Sequence, residues 1–379
     1  MVSVQLVDND VVQVINQDGS AVRHLEPKMT HQEHLRLFRT MLLVRATDSK
    51  AMNLQRSGRI GFYVPSFGQE ACQVGSASVL KPEDWVAPAY REPGAALLRG
   101  YPVKLLIAQC YGNKADAQKG RQMPNHYGSA STNFITASSP VGTQIVYATG
   151  VAWAMKMRKD PRVTLVYFGD GATSEGDFHV GVNFGGVFRV PCIYFCNNNG
   201  WAISVPRDRQ TASATIAMKA AAYGIEGARC DGNDILAVIQ VTKQAAHHAR
   251  GGGGPTLIEA LTYRMGPHSS SDDPTRYRSA EELDAWKKKD PIERYRRFLE
   301  KQGIVTEKDV KDLEADVTKE VEDAVAQVEG AEAVAPETMF EDVFAELPYH
   351  LRLQRDALLG ERKAGAVVEY EQAEGKFPL

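Results

Sequence analysis

The sequence predicts an α/β fold: a mostly parallel sheet flanked by helices, with an N-terminal arm and a helical C-terminal tail. Three segments, 163–168, 192–196 and 256–263, are runs of mainly apolar residues. Such runs are typical of parallel strands that are covered on both faces. Helical patterns lie between them, one from Ser174 with Asp177 as its capping partner and one over 233–250. Because strands alternate with helices, we predict β-α-β units.

A further helical pattern lies near the N-terminus. It begins at a capping box formed by Thr30 and Glu33 and runs to about Gly58. The short runs on either side of 16–19 predict a small strand pair or an extended arm before it. Charged helical patterns return after Ser279. We therefore predict three regions: an N-terminal arm and helix over 1–58, a ligand-binding domain over 59–279 and a helical C-terminal region over 280–379.

The amino-acid composition indicates a folded protein and argues against several classes of binding partner. Of the 379 residues, 43% are apolar and 24% are charged, an ordinary balance for a folded protein. A net charge of −3 argues against nucleic acid and anionic membranes as partners. The chain also lacks a run of 18 apolar residues, the length that would predict a membrane span.

The cysteines and the N-terminal residues bear on the cellular compartment. The five cysteines form no C-x-x-C pair, so we predict neither a zinc site nor a disulfide framework and favour a reducing compartment. The first residues carry acidic side chains without the basic start or the long apolar run of a targeting segment. We therefore predict a cytoplasmic location.

Polar residues follow two of the predicted strands where each one ends. Gly169, Asp170 and Gly171 follow the first strand, and Asn198 and Asn199 follow the second. The carboxyl ends of neighbouring parallel strands face one crevice, where ligands bind. Carboxylate and amide oxygens are ligands that Mg²⁺ prefers, and the glycines with the helix that follows favour a bound phosphate group. A tight turn beside an unrelated asparagine-rich loop is the alternative interpretation.

The segment GDGATSEGDFHVGVNFGGVFRVPCIYFCNNNGWAIS resembles the cofactor-binding segment of thiamine diphosphate enzymes, and specifically of 2-oxo acid dehydrogenase alpha chains. The resemblance covers most of the chain, since further motifs occur in the family's order: GRIGFYVPSFGQEACQVG, AYREPG, GRQMPNHYG, SSPVGTQ, YRMGPHSSSDDPTRYRS and MFEDVFAELPYHLRLQRDALL. Within that family, FYVPSFGQEA and SSSDDPTRYRS are most similar to the branched-chain enzymes. The resemblance implies the thiamine diphosphate-binding fold over 59–279 and subunit contacts through 280–379.

The resemblance also implies roles for the residues that match the family's motifs. The implied Mg²⁺ ligands are Asp170, Asn199 and the backbone carbonyl of Trp201. The residues implied in cofactor binding are Tyr90, Arg91, Ser139, Val141, Gly169, Asp170, Gly171, Ala172, Asn199, Arg264 and His268. Arginine suits a diphosphate because its planar guanidinium bonds two oxygens at once. In some members a K⁺ ion is held by positions that are here Ser138, Pro140, Thr143 and Gln144.

His268 is the catalytic candidate. It lies in loop 266–274 after the third predicted strand, and an imidazole that titrates near neutral pH suits proton transfer as an acyl group passes to lipoyl. An exposed loop histidine with no catalytic role is the alternative. His126 is a second candidate, for which a structural hydrogen bond is an equal alternative. The residues implied in the substrate pocket are Phe62, Tyr63 and Ser139.

Two positions depart from the family pattern. Asn197 stands where animal branched-chain enzymes have an arginine on the diphosphate, so one phosphate contact is missing or is supplied differently. Ala89 stands where those enzymes have a glutamine, which alters the substrate end of the pocket.

The function implied by the resemblance is that of an alpha subunit of a branched-chain 2-oxo acid dehydrogenase. Such an enzyme decarboxylates a 2-oxo acid oxidatively and transfers the acyl group to lipoyl on an acyltransferase core. The implied partner is a beta subunit, which supplies the glutamate that activates the cofactor in an α₂β₂ heterotetramer. An alpha chain of pyruvate or acetoin dehydrogenase is the nearest alternative, and a non-catalytic subunit that binds Mg-nucleotide is the alternative from another class.

Overall fold

A computed structural model of the chain describes residues 10–363. The chain divides into two compact units, one that ends at Ala331 and one that begins at Glu332. This division does not coincide with the predicted boundaries after residues 58 and 279, so the three-region organisation stays a prediction. The start of the predicted arm, 1–9, and the end of the predicted C-terminal region, 364–379, lie outside the described residues.

A parallel sheet lies at the centre of the first unit. The strands of the described residues are β1 (Trp85–Ala87), β2 (Thr164–Gly169), β3 (Cys192–Asn198), β4 (Trp201–Ala202), β5 (Val205–Pro206), β6 (Glu226–Asp231) and β7 (Thr256–Leu261). Five of these pair in parallel in the order β1-β2-β3-β7-β6. The other two, β4 and β5, form a small antiparallel pair.

Helices make up much of the rest of the described chain. Those of the described residues are α1 (His31–Arg56), α2 (Glu70–Ser78), α3 (Pro93–Leu98), α4 (Val103–Tyr111), α5 (Thr143–Met157), α6 (Gly176–Val187), α7 (Lys219–Ala222), α8 (Ile235–Arg250), α9 (Ala280–Lys287), α10 (Pro291–Lys301), α11 (Glu307–Glu329), α12 (Thr338–Glu341) and α13 (Tyr349–Lys363). None of them is long and apolar enough to cross a lipid bilayer.

The apolar runs that predicted strands form β2, β3 and β7, so the predicted α/β fold with a parallel sheet is confirmed. Alternate side chains of β2 join two separate cores. Leu165 and Tyr167 pack in the core that includes α1, α2 and α8, whereas Val166 and Phe168 pack in the core that includes α5 and α6. Because helices cover both faces of the sheet, apolar residues are needed at every position of its central strands.

The edge strand β6 was not predicted. Its sequence, EGARCD, mixes charged and apolar residues, which an edge strand tolerates better than a central one. The N-terminal segment pairs with its outer side: the Val12 N–H donates to the Arg229 carbonyl (3.0 Å) and the Asp231 N–H donates to the Val12 carbonyl (2.9 Å). Further along, Ile15 and Ala21 form an antiparallel bridge. The predicted alternatives were a small strand pair or an extended arm, and the bridge on either side of 16–19 corresponds to the strand pair.

One predicted helix start is corrected. The capping box of Thr30 and Glu33 is present at α1, but the one predicted for Ser174 and Asp177 does not form. A short 3₁₀ turn, Asp170–Ser174, precedes α6, which begins at Gly176 without a side-chain cap. Ser174 lies at the end of that turn, one residue before the N-cap Glu175, and its hydroxyl donates to the backbone carbonyl of Gln210 (3.2 Å).

The five cysteines are all free and buried. They lie in four different elements: Cys72 in α2, Cys110 in α4, Cys192 and Cys196 in β3, and Cys230 in β6. Burial raises the pKa of every one of these thiols, because the thiolate loses hydration in the interior.

The charged helices after Ser279 contribute to the first unit as well. α11 packs against α1 and α4, with Val317 and Val321 buried. On its surface, Arg39 of α1 pairs with Asp316 (2.7 Å) and Glu320 (2.6 Å). The second unit contains α12 and α13; the latter exposes Tyr349 and Leu353.

Candidate active site

A cavity of about 390 Å³ lies at the carboxyl ends of β2 and β3. Ligands bind at this edge of open parallel sheets. The predicted site residues that line it are Phe62, Tyr90, Arg91, Ser138, Ser139, Val141, Gln144, Gly169, Asp170, Gly171, Ala172, Asn199, Trp201, Arg264 and His268. The structure therefore brings together residues that are up to about two hundred positions apart in the chain.

Asp170 directly follows β2 and is 1% exposed. Its Oδ2 accepts a hydrogen bond from Gln210 Nε2 (3.0 Å), whereas its Oδ1 is buried without a hydrogen-bond partner. Burial raises the pKa of this carboxyl to about 6. An unpartnered buried oxygen is costly, and a bound cation would satisfy it.

Asn199 and Trp201 follow β3 on the same side of the cavity. The Asn199 Oδ1 accepts a hydrogen bond from the Trp201 N–H (3.1 Å), and the Trp201 carbonyl accepts one from Arg264 (3.4 Å). Across residues 10–363, no group of three or more His, Cys, Asp or Glu side chains is placed to hold a metal ion. A metal here would therefore be held by one carboxylate with amide and carbonyl oxygens, a set that suits Mg²⁺.

Two arginines bring positive charge to the cavity. Arg264 is 1% exposed; it donates to the Tyr277 hydroxyl (2.7 Å), while its Nε has no hydrogen-bond partner. Arg91 donates to the carbonyl oxygens of Pro65 and His268. Burial lowers the pKa of Arg264, and the nearby charge of Arg91 acts in the same direction. Two cations buried on the wall of one cavity suit an anionic ligand such as a diphosphate.

His268 lies beside one of these arginines. The Arg91 Nη2 is 3.2 Å from the Nδ1 of His268. Because arginine can only donate, Nδ1 accepts and the proton of the neutral ring is on Nε2. Burial, followed by the charges of Arg91 and Arg264, lowers the pKa of His268 to about 3. The expectation that this imidazole titrates near neutral pH is therefore corrected for the free protein.

His126 and Ser139 form a hydrogen-bonded pair in the cavity wall. The Nδ1 of His126 donates to the Pro124 carbonyl (3.1 Å), which leaves Nε2 to accept from the Ser139 hydroxyl (2.8 Å). Tyr90 stacks on the His126 ring, with centroids 6.4 Å apart, and meets the His268 ring edge-on at 6.2 Å. His126 thus makes the structural hydrogen bonds that the sequence left as an alternative, while also lining the cavity.

Tyr63 lies behind the cavity wall. Its hydroxyl donates to the Oδ1 of buried Asp48 (2.7 Å), and its backbone pairs with Ser270, whose N–H donates to the Tyr63 carbonyl (2.8 Å). Neighbouring side chains of an extended segment face opposite ways, so Phe62 lines the cavity and Tyr63 does not. The structure thus corrects Tyr63 from a pocket wall to an anchor of the loop that carries His268.

The residues predicted to hold K⁺ lie in one loop and the start of α5, and they are Ser138, Pro140, Thr143 and Gln144. The hydroxyl of Thr143 donates to Asp177 (3.3 Å), and Thr143 and Pro140 are not among the lining residues. Gln144 Nε2 donates to the Tyr167 carbonyl (3.1 Å), but its Oε1 is buried without a partner.

Gly171 occupies a tight place in the 3₁₀ turn after β2. A Cβ atom added to Gly171 would lie 2.6 Å from the Cβ of Ala202 in β4, closer than real Cβ atoms approach. A Cβ added to Gly169 would meet nothing within 4 Å. The backbone of the turn therefore comes close to β4 only because residue 171 has no side chain.

Glu92 was missed by the sequence analysis. It follows Tyr90 and Arg91 in the AYREPG motif, is 2% exposed and lines the cavity. Its Oε1 accepts a hydrogen bond from Nδ2 of Asn197 (3.2 Å), the residue that departs from the family pattern. Burial raises the pKa of this carboxyl to about 7. The available signal was an acidic residue directly beside two predicted ligand-binding residues.

Unpaired polar atoms test whether the cavity suits a polar cofactor. Within the described residues, buried polar atoms without a hydrogen-bond partner include five that belong to lining residues: Gln69 Nε2, Gln144 Oε1, Asp170 Oδ1, Asn197 Oδ1 and Arg264 Nε. Most buried polar atoms in proteins have partners. With two arginines in the same wall, these donors and acceptors fit a polar, anionic ligand accompanied by a cation.

Known proteins resemble the chain over most of its length. The family model described as dehydrogenase E1 component matches residues 38–337. The chain is 44% identical over 351 residues to "2-oxoisovalerate dehydrogenase subunit alpha, mitochondrial" of Caenorhabditis elegans, which covers 92% of this chain and 81% of that relative. The protein of the same name from Homo sapiens is 43% identical, covering 92% and 79%. "2-oxoisovalerate dehydrogenase subunit alpha 1, mitochondrial" of Arabidopsis thaliana is 41% identical, covering 90% and 73%.

These relatives correct the predicted location. All three are named as mitochondrial subunits, so the prediction of a cytoplasmic location is wrong, and the similarity points to mitochondria. The prediction depended only on the composition of the N-terminal residues.

The family match and the candidate site coincide. Residues 38–337 include every residue that lines the cavity as well as the whole parallel sheet. The family depends on thiamine diphosphate, a cofactor whose charged end suits the buried arginines described above. The chain belongs to the dehydrogenase E1 component family.

Proposed function

We propose that this chain is the alpha subunit of a branched-chain 2-oxo acid dehydrogenase. Its reaction would be the oxidative decarboxylation of branched-chain 2-oxo acids, with transfer of the acyl group to lipoyl. The observation that carries the proposal is a cavity that collects Asp170, Asn199, Arg264 and His268 in a chain 44% identical to a 2-oxoisovalerate dehydrogenase alpha subunit.

In this proposal, Asp170, Asn199 and the Trp201 carbonyl hold Mg²⁺. The unpartnered Oδ1 of Asp170 supports the assignment, because a divalent cation would complete its coordination. The cation would also lower the raised pKa of the Asp170 carboxyl and keep it ionised. Phosphate and water oxygens would supply its other ligands.

The diphosphate would be held by Arg91 and Arg264, with Tyr90 beside them. Their burial strengthens each charge-assisted hydrogen bond to an anion, since little water competes there. Backbone and wall contacts would come from Ser139, Val141, Gly169, Gly171 and Ala172. A K⁺ ion at Ser138, Pro140, Thr143 and Gln144 is supported by the unpartnered Oε1 of Gln144.

Thiamine diphosphate, when bound, supplies the electron sink that decarboxylation of a 2-oxo acid requires. The part of His268 would be proton transfer at its Nε2. In the free protein its ring is neutral, because burial and two arginines lower its pKa to about 3. A diphosphate that offsets the charges of Arg91 and Arg264 would raise that pKa and allow the ring to take up and return a proton as the acyl group moves to lipoyl.

The substrate would lie against an apolar part of the same cavity. Phe62, Val64 and Met123 line it and would contact a branched side chain. Ser139 would lie near the polar end of the substrate; its hydroxyl proton is donated to His126, and its oxygen can still accept a hydrogen bond.

A beta subunit is the proposed partner, in an α₂β₂ heterotetramer, and a lipoyl-bearing acyltransferase core is the proposed acyl acceptor. An apolar surface on α5 and α6 supports a stable partner: Val146, Met157, Val180 and Val187 are between 39% and 68% exposed. Apolar patches of this kind mark interaction sites. The C-terminal region over 280–379 is proposed to make further subunit contacts.

The test is the decarboxylation of a panel of 2-oxo acids by the chain co-purified with its beta subunit. Thiamine diphosphate, Mg²⁺ and a dye acceptor would be supplied with 2-oxoisovalerate, 4-methyl-2-oxopentanoate or pyruvate. We expect kcat/KM to be more than about tenfold higher for the branched acids, which corresponds to about 1.4 kcal/mol of discrimination. A preference for pyruvate would move the chain to the pyruvate or acetoin enzymes. Binding of Mg-ATP in place of thiamine diphosphate would contradict the whole proposal.

A further inference from the structure

Glu92 is a buried acid in a cavity proposed to bind an anion. It is 2% exposed, lines the cavity and is adjacent in sequence to Arg91. An ionised carboxylate in this place weakens the attraction between the cavity and a diphosphate. Its presence therefore calls for a role that offsets that cost.

The contacts of Glu92 show one such role. Its Oε2 accepts hydrogen bonds from the backbone N–H groups of Ala89 (2.9 Å) and Arg91 (3.1 Å). Its Oε1 accepts one from the Asn197 side chain (3.2 Å) at the end of β3. One carboxyl group thus joins the loop that carries Tyr90 and Arg91 to the central sheet.

We propose that Glu92 is a positioning residue that holds the loop of Tyr90 and Arg91 against β3, and that it couples binding of the diphosphate to uptake of one proton. This inference rests on the proposed function, because it takes the diphosphate of thiamine diphosphate as the ligand. Glu92 takes up the proton because its carboxylate is the negative charge in this loop that repels the diphosphate, and protonation removes that charge.

The titratable groups around Glu92 do not change charge near pH 7, so the proton is assigned to Glu92. Arg91 is the charged neighbour that favours its ionised form, while burial opposes ionisation and raises its pKa to about 7. From the surrounding elements it is faced by Cys72 of α2, Tyr127, Tyr147 of α5 and Tyr167 of β2. Burial raises the pKa of all four of these groups, so they stay protonated and neutral when Glu92 titrates.

Asn197 can accommodate both forms of Glu92. Its Nδ2 donates to the carboxylate, whereas its Oδ1 is buried without a partner. Rotation of the amide by half a turn would present Oδ1 to a protonated carboxyl, which could then donate to it. An arginine at this position could only donate and would favour the ionised form. The asparagine thus allows the loop to stay in place while the charge of the cavity changes.

The sign of the pH dependence follows from the charge. The protonated cavity binds the anion more tightly, so affinity should fall as the pH rises through 7 and Glu92 ionises. Linkage of one proton limits this effect to about tenfold in Kd per pH unit. The ligand also titrates, and therefore the comparison must be made with a variant that lacks the carboxyl group.

The experiment is calorimetric titration of the assembled protein with thiamine diphosphate and Mg²⁺ between pH 6.5 and 8.5. We expect the Kd of the wild type to rise about tenfold more over this range than that of Glu92→Gln. Titration of the wild type at pH 8 in two buffers of different ionisation enthalpy should show uptake of about one more proton than the variant. Glu175→Gln is the matched control, since it removes an exposed acid of the same cavity; it should keep the wild-type pH profile.

A second variant tests the positioning role. Glu92→Ala removes all three hydrogen bonds, so it should weaken binding at every pH, whereas Glu92→Gln should keep the wild-type affinity at pH 6.5. Equal pH profiles for the wild type and Glu92→Gln would overturn the proton coupling, and wild-type affinity in Glu92→Ala would overturn the positioning role.

If Glu92→Gln does not fold, Asn197→Asp should move the steep part of the profile to higher pH, because it places a second acid beside Glu92; an unchanged profile would contradict the proposal. No binding by the wild type at any pH would overturn both this inference and the proposed function.

Discussion

Burial disfavours the charged forms of both Asp170 and His268, although one side chain is an acid and the other a base. Burial raises the pKa of the Asp170 carboxyl to about 6 and, with Arg91 and Arg264, lowers that of the His268 imidazole to about 3. A bound cation would favour the charged form of the first, and a bound anion would favour the charged form of the second. At the residue scale, the two components of a magnesium diphosphate would therefore act on two different side chains.

Asp170→Ala should abolish Mg²⁺-dependent binding of thiamine diphosphate. The variant removes the carboxylate whose Oδ1 has no other partner, and we expect a loss of about 100-fold or more, roughly 3 kcal/mol. Calorimetric titration with the cofactor and Mg²⁺ measures it. Gln210→Ala is the control, because it removes the hydrogen bond to Oδ2 and leaves the carboxylate; it should cost less than about tenfold. Unchanged affinity in Asp170→Ala would remove the metal assignment.

His268→Ala should slow lipoyl acylation more than it weakens cofactor binding. General acid–base groups contribute about 10²- to 10⁴-fold to a rate, so we expect a loss in this range in single-turnover acylation of a lipoyl domain. The Kd for thiamine diphosphate should change by less than about tenfold, because Arg91 and Arg264 remain. His247→Ala, at an exposed position of α8, is the matched control. A variant that lost cofactor binding but acylated lipoyl normally once saturated would contradict the assigned role.

The turn after β2 depends on how closely two elements approach. Gly171 lies against Ala202 of β4, where an added Cβ would come within 2.6 Å of the Ala202 Cβ. Both residues line the cavity, so a shift of either element would change its shape. The constraint is reciprocal: the smaller the residue at 202, the larger the one that position 171 tolerates.

Gly171→Ala should therefore be destabilising, and Ala202→Gly should relieve it. We expect the first change to lower the free energy of unfolding by about 1–3 kcal/mol through overpacking. The double variant should recover most of the part due to the clash, as measured by denaturant unfolding. Gly169→Ala is the control for an added methyl group, since nothing lies within 4 Å of its position. If Ala202→Gly brought no recovery, the clash would not be the cause.

Elements of the fold could be predicted where their physical environment is uniform. β2, β3 and β7 are buried on both faces, and this leaves continuous apolar runs in the sequence. The short β1 and the edge strand β6 leave no such pattern. Ser174 looked like a helix cap because the sequence does not show that a 3₁₀ turn, Asp170–Ser174, comes before α6.

The same distinction separates the site residues that could be predicted from the sequence from those that could not. Asp170 and Asn199 were predictable because they directly follow buried strands. The burial of Glu92 and the hydrogen bond between Asp48 and Tyr63 depend on how separate segments pack, which no local pattern shows. Tyr63 was therefore placed in the pocket wall, and Glu92 was overlooked.

The whole molecule has an apolar surface that its own described residues leave uncovered. Met157 of α5 and Val187 of α6 are 68% and 67% exposed, on two helices that pack against each other beside the cavity. Burial of such side chains in an interface is favourable by about 25 cal/mol per Å² of apolar area. A second subunit on this surface would account for the exposure.

We expect the chain alone to lack 2-oxo acid dehydrogenase activity and to gain it with its beta subunit. Sedimentation of the co-purified protein should give the mass of an α₂β₂ heterotetramer, and Met157→Glu with Val187→Glu should reduce that mass by placing charge in an apolar interface. Lys156→Glu, a polar position on α5, is the control for added charge. Full activity of the purified alpha chain alone would contradict the heterotetramer.

The five buried cysteines can report local unfolding of the elements that contain them. Cys192 and Cys196 are in the central strand β3, Cys230 is in the edge strand β6, Cys72 is in α2 and Cys110 is in α4. Because an alkylating reagent reaches only the thiolate of an exposed cysteine, each residue can react only when its own element separates from the rest. The rate at which each peptide is labelled under native conditions would therefore report the local opening equilibrium of the sheet and its helices, without the introduction of a single foreign probe.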